Sequence, residues 1–321
     1  MKLIELYRRA IEIGIEHDPR SSEDIEGVID KYRREYELLS DNEKAFFDKW
    51  FLEHPYADSR ILFGDEEIEV SSALVGIDID TSEILFADRL REKGRKIDLI
   101  ISHHPSARAW SQFYEVMDMQ TSILESLGVN PVVAEKLLYE RKGEVKRKVM
   151  PANHHKALSC ARLLNLPWVC LHTPADNCVY DYLSQYFSRN PYKTVGDIID
   201  LLYEIPEYQE GARRGTPPVI LLGDKCSRAG KIALEMTGGT EPSVENYQFL
   251  AASGIGTIVG MHFSEQHYKK AKEAKLNLVV AGHMSSDTLG MNLLLDQIED
   301  SLGSIEVLEV AGFYRVKHTE V

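Results

Sequence analysis

Cysteine is scarce in this chain: Cys160, Cys170, Cys178 and Cys226 are the four in 321 residues. No two of them form a C-x-x-C pair. Neither a disulfide framework nor a thiolate zinc or redox site is expected, and reduced thiols in a cytoplasmic protein are the simplest expectation. Positive charge is also in deficit, with 37 Lys and Arg against 51 Asp and Glu and a net charge of −14. That balance opposes non-specific binding to a polyanion or an anionic membrane, so neither nucleic acid nor membrane is an expected partner. No run of about eighteen uncharged apolar residues occurs, and Glu5 stands where a signal peptide needs its apolar stretch. Phosphate-loop motifs are missing too. Six residues rather than four separate Gly223 from Gly230, and Ile232 stands where a Walker loop needs Ser or Thr. No G-x-G-x-x-G follows the first strand and no G-x-S-x-G elbow is found.

What is present is ordinary for a chain with a real core: 44% hydrophobic and 27% charged residues. At about 150 residues per domain the length suggests roughly two domains. The first fifty-odd residues read as helical, because Ile25, Val28, Ile29, Tyr32, Tyr36 and Leu39 recur at helical steps and Ser40-x-x-Glu43 forms a capping box. The pattern then changes. Ala73–Ile77 is a short apolar run, Asp80-x-x-Glu83 opens a helix that ends at Gly94, and Ile97–Ile101 is apolar again. Strand, helix and strand with short links make a βαβ unit, whose strands are parallel. Trp168–Leu171, Val219–Leu222, Ile255–Val259 and Leu278–Ala281 read as further buried strands, and Ile305–Val310 as a partly exposed or edge strand. The fold class is α/β with mainly parallel sheets. Between Pro105 and Trp168 runs a mostly helical stretch. Its basic residues, Arg141-Lys142 and Lys146-Arg147-Lys148, read as a solvated helix face, with a nucleic-acid contact as the alternative.

In open parallel sheets, ligands bind beyond the carboxyl ends of the strands. Three strand ends here carry metal-type donors. Asp98-Leu99-Ile100-Ile101-Ser102-His103-His104-Pro105 ends in two imidazoles, which share one site only if the backbone leaves strand geometry there. The second, Trp168-Val169-Cys170-Leu171-His172, is followed by Asp176. A carboxylate at that place can bind a metal, cap the next helix or bond the nearby imidazole. The third, Ala281-Gly282-His283, is followed by Asp287, with a helix start expected near Ser285 or Ser286 and N-terminal capping by Ser286 and Asp287 as the other reading. His103, His104, Asp176, His283 and Asp287 are the candidate ligands. Imidazole and carboxylate without thiolate suit Zn, Mn, Fe or Ni. Five such groups exceed the needs of one open site but serve two ions about 3.5–4 Å apart. His172 is placed behind the ligands, and His262, after the strand at 255–259, at the substrate-facing rim or in solvent. His154-His155 reads as a solvated helix start.

Val75-Gly76-Ile77-Asp78, the Ser102-His103-His104-Pro105 turn, His172-Thr173-Pro174-Ala175-Asp176, Ser264-Glu265-Gln266, and Gly282-His283 with Asp287 together resemble the Ngg-interacting-factor-three-like family, also called GTP cyclohydrolase I type 2-like. The resemblance runs from about Tyr56 onward. It implies two interlocked α/β lobes with a dinuclear metal site between them, often assembled into a ring-shaped homo-oligomer, and it gives ligand roles to the same five residues. Where the family usually has Glu, this chain has the shorter Asp287. The implied division is a helical N-terminal extension over 1–55, a first lobe over 56–177 with a helical insertion at about 106–165, and a second lobe over 178–321. The expected activity is a metal-dependent hydrolase acting on a small-molecule phosphoester or nucleotide-type substrate, with a GTP cyclohydrolase-like reaction as the family's version and Arg108, Arg228 and Lys231 as candidate phosphate contacts. The alternative is a non-catalytic metal-binding scaffold or regulatory interaction protein.

Overall fold

The computed structural model describes residues 1–318. Its strands are β1 (Arg60–Phe63), β2 (Ser72–Gly76), β3 (Leu99–Ser102), β4 (Trp168–Cys170), β5 (Val219–Leu222), β6 (Lys231–Glu235), β7 (Ile255–Gly260), β8 (Asn277–Val280) and β9 (Glu306–Val310). They form two sheets, ordered β1-β4-β3-β2-β9 and β5-β8-β7-β6. Pairing is parallel except at β1–β4 and β5–β8. Each sheet thus has an antiparallel edge strand beside the strand that leads into a long helix.

Strand residues alternate between cores, as the pleat requires. Ala73, Val75, Leu99, Ile101 and Val169 face a central core that also takes Val259 and Val279 from the second sheet. Leu74, Ile100 and Trp168 face an outer core under the helices Thr81–Glu92 and Lys156–Leu163. Ala233, Ile258 and Leu278 face a third core under Asn246–Ala252 and Glu265–Ala274. Between the sheets lie the helices Thr173–Arg189 and His283–Leu302, which pack on each other.

The structure changes several expectations. The N-terminal helix Leu3–Glu16 is no appendage, because Leu3, Leu6 and Tyr7 are fully buried in the central core. β9, read in the sequence as part of the second lobe, is the parallel edge partner of β2 in the first sheet. Val219–Leu222 is a strand but not a buried one. It is the edge of its sheet, and Val219 and Leu221 are 44% and 39% exposed. β1 and β6 had no sequence forecast, since their charged ends break the apolar run. The capping boxes at Ser40 and Asp80 form as read. Within the insertion, Lys142 pairs with Glu115 and Asp118, and Arg141 with Glu144. Among the described residues no helix is long and apolar enough to cross a membrane.

Candidate metal centre

β2, β3 and β4 run parallel in register, so their carboxyl ends open on one side of the sheet. β3 stops at Ser102, and the backbone leaves the ladder just where the two imidazoles begin. The N–H groups of His103 and His104 still donate to the Gly76 and Ile77 carbonyls, which fixes the turn. The rings then lie 5.1 Å apart, His103 buried and His104 partly exposed.

The other donors stand on helix starts. His172 is the N-cap of Thr173–Arg189, so Asp176 lies one turn on, facing back toward it. The last helix begins at His283 rather than at Ser285 or Ser286. Gly282 takes a φ of +119°, accessible to glycine, and turns the chain into the helix two residues early. Ser286 then bonds its Oγ back to the Gly282 carbonyl at 2.7 Å, which removes the capping reading and leaves Asp287 one turn above His283.

These elements converge. His103 Nε2 is 3.4 Å from Asp176 Oδ1 and 3.5 Å from Asp287 Oδ1. Asp287 Oδ2 is 3.4 Å from both His104 Nε2 and His283 Nε2. His172 Nε2 lies 3.7 Å from Asp176 Oδ2. Three donor sets, His103–His104–His172, His104–His283–Asp287 and His103–Asp176–Asp287, each bring their ligand atoms within 4.8 Å of one another. All five candidate ligands are therefore in one cluster, and His172, expected behind it, stands in it.

Carboxylates orient the imidazoles from outside. Asp78 lies 2.7 Å from His104 Nδ1, and Asp58 2.7 Å from His172 Nδ1. A carboxylate accepts there, so Nδ1 carries a proton and Nε2 is the atom that faces inward. Asp58 also accepts from Thr173 Oγ1 at 2.6 Å. Sequence reasoning missed Asp58, because it precedes the unforeseen β1. Asp78 was visible only through the resemblance.

Electrostatics set the protonation within the cluster. Burial pushes His103 down to about 4 and keeps it neutral, against the pull of Asp287. For His104 burial is outweighed by Asp287 and Asp78, and it rises to about 10. Burial, helped by Asp287 and Asp58 and opposed by His172, lifts Asp176 to about 8. Asp287 is held low by His103 and His104 despite its burial. Both ring nitrogens of His103, Asp176 Oδ1 and both oxygens of Asp287 are buried without a hydrogen-bond partner. Orphaned buried acceptors are costly, and a divalent cation would satisfy them, so this donor set fits a metal ion.

The cluster opens on a cleft of about 700 Å³ lined by Asp78, His104, His154, Lys156, His262 and His283 among others. His262 is at the rim: its ring meets His283 edge-on at 4.6 Å, and Nδ1 is 3.2 Å from Glu241. His154, read as solvated, packs on Trp110 in the cleft wall. Lys156 is in the lining, whereas Arg108, Arg228 and Lys231 are not.

A NIF3 superfamily protein from Sphaerobacter thermophilus superposes with a TM-score of 0.69 at 26% identity, covering 80% of this chain and 91% of its own. The chain is NIF3-like in its fold. Reduced HcgD from Methanocaldococcus jannaschii gives 0.49 at 14% identity over 84% and 97% of the two chains. A Bacillus cereus protein related to NIF3 gives 0.42 at 11% over 82% and 92%. No family model and no curated protein matches the sequence. Within this NIF3-like fold, the His/Asp cluster could hold a metal ion.

Proposed function

We propose that the chain is a metal-dependent hydrolase with a dinuclear site, acting on a phosphoester or nucleotide-type substrate. One observation carries the reading: Asp287 belongs to two donor sets at once, His103–Asp176–Asp287 and His104–His283–Asp287. Its Oδ1 faces the first and its Oδ2 the second. A carboxylate so placed would serve a cation in either set. His103 and Asp176 would hold one ion, His104 and His283 the other, with His172 available to the Asp176 side. Such ions supply Lewis acidity and bring the pKa of water toward neutrality.

The chain's own residues do the rest. Asp58 and Asp78 hold His172 and His104 in the tautomer that presents Nε2. The buried Asp176 and Asp287 would supply the negative charge that offsets bound cations. Lys156, His154 and His262 line the cleft with donors for phosphate oxygens. Glu241 holds His262 at the mouth, where an imidazole can move a proton to or from a leaving oxygen.

The test is metal analysis of the purified protein beside hydrolysis assays on phosphoester and nucleotide panels, with and without chelator. About two divalent ions per chain and chelator-sensitive hydrolysis are expected. Bound metal with no turnover on any panel member would favour the scaffold reading instead.

A further inference from the structure

A second cavity, of about 110 Å³, opens beside the cluster, between the carboxyl end of β6 and the helix Met119–Ser126 of the insertion. Asp176 and Asp287 line its inner end, and Leu124, Leu250 and Met261 are among its apolar walls. The insertion helix is pinned there, for Gln120 Nε2 donates to the Gly238 and Thr240 carbonyls, each at 2.8 Å. Away from the metal cluster, two of the polar lining residues carry buried atoms without a partner. Asn246 is 2% exposed, and its Oδ1 has no hydrogen-bond partner. Glu235 accepts from the Tyr247 hydroxyl at 3.1 Å through Oε2, while its buried Oε1 has no partner.

We propose that this cavity recognises a neutral, single-ring, lactam-type heterocycle, which forms the part of the substrate adjoining the bond cleaved at the cluster. Buried polar atoms without partners are rare in folded proteins, and here two of them, besides those of the metal cluster, line one cavity. Burial, with the charge of Glu241 adding to it, lifts the Glu235 carboxyl to about 8, against the Tyr247 bond. At neutral pH it is then mostly protonated, so it can donate from one oxygen while the amide of Asn246 accepts. A ring carrying C=O and N–H answers both, and its flat faces suit the apolar walls. An anionic ring would meet an acid with no cation beside it. Size selects as well: at about 110 Å³ the cavity is smaller than the roughly 150 Å³ apolar cavity that admits benzene, which limits the occupant to a single ring and excludes a fused pair. The link to cleavage rests on the hydrolase reading, whereas the binding chemistry does not.

The experiment measures binding of 2-pyridone and of toluene by ligand-observed NMR, on the protein as purified and after chelation. We expect 2-pyridone to bind more tightly than toluene in both preparations. Glu235→Leu should weaken 2-pyridone about tenfold or more while toluene binding persists, which shows that the cavity is still formed. Leu124→Trp, which fills the cavity, should abolish binding of both. The proposal is overturned if 2-pyridone binds no better than toluene to the wild type, if Glu235→Leu leaves its affinity unchanged, or if a folded wild type binds neither. Loss of hydrolysis with pyridone binding intact would count against the hydrolase reading alone.

Discussion

Asp287 turns one oxygen toward His103 and the other toward His104 and His283, so its removal strikes both halves of the cluster. Asp287→Ala is expected to reduce Zn²⁺ or Mn²⁺ stoichiometry in titrations of apo protein from two to one or none. Two tight ions in the variant would reduce Asp287 to a bystander. Asp58 acts one bond further out, on His172. Asp58→Asn should weaken metal retention about 10–100-fold, the usual effect of losing a carboxylate behind a ligating imidazole. Both effects are read in competition with a chromogenic chelator. Away from the cluster, His17 sits 2.7 Å from Asp181 and 3.1 Å from Gln297. The Asp181 bond raises its pKa, against a smaller opposing contribution from burial. Protonated His17 therefore stabilises the fold fully below its unfolded pKa near 6.5, and that contribution is lost as pH rises through the higher folded value. Asp181 is shifted down by the same bond, so its share is lost only on acidification. Denaturant unfolding from pH 5 to 8 should show His17→Ala costing about 1 kcal/mol at the acid end and progressively less toward pH 8. A constant difference across that range would assign the loss to packing.

The helices that carry Asp176 and Asp287 meet at a glycine. A Cβ on Gly290 would come 2.9 Å from the Ala175 carbonyl carbon, a backbone atom next to the Asp176 residue. Gly290→Ala must therefore push the helices apart. A loss of about 1–3 kcal/mol is expected from the overpacking, together with weaker metal binding, because both carboxylates ride on the displaced elements. Urea unfolding and metal titration of one variant check the pair of effects; stability lost with affinity unchanged would show that the helices slide without moving the site. Much of this architecture could be read from sequence. β3, β4 and β8 are buried on both faces and so appear as apolar runs, and the donors after them stand where parallel sheets place ligands. β1 and β6 could not be read, because Arg60, Lys231 and Glu235 interrupt the pattern and their pairing is set by distant strands. Asp58 was invisible for the same reason. The start of the last helix was misjudged by two residues, since serines that look like caps are overruled by the positive φ of Gly282.

At the scale of the molecule, a buried knot of carboxylates and imidazoles is costly without a cation, so metal and fold stability are coupled. Ligand that binds only the folded state adds RT ln(1 + [L]/Kd), about 2.7 kcal/mol at a hundredfold excess over Kd. Melting curves recorded with chelator and with graded Zn²⁺ should rise with metal concentration in the wild type and much less in Asp287→Ala. Equal slopes would place the stabilising ion elsewhere. A last consequence comes from β9, which joins the first sheet beside β2 although more than two hundred positions separate them in the chain. During synthesis, the apolar edge of β2 waits for its neighbour until the whole second sheet has emerged. Loop-closure entropy makes so distant a pairing slow, and an unpaired edge invites association with other nascent chains. The first sheet is begun early and completed last, which makes the translating polypeptide, rather than the finished protein, the species most exposed to misassembly.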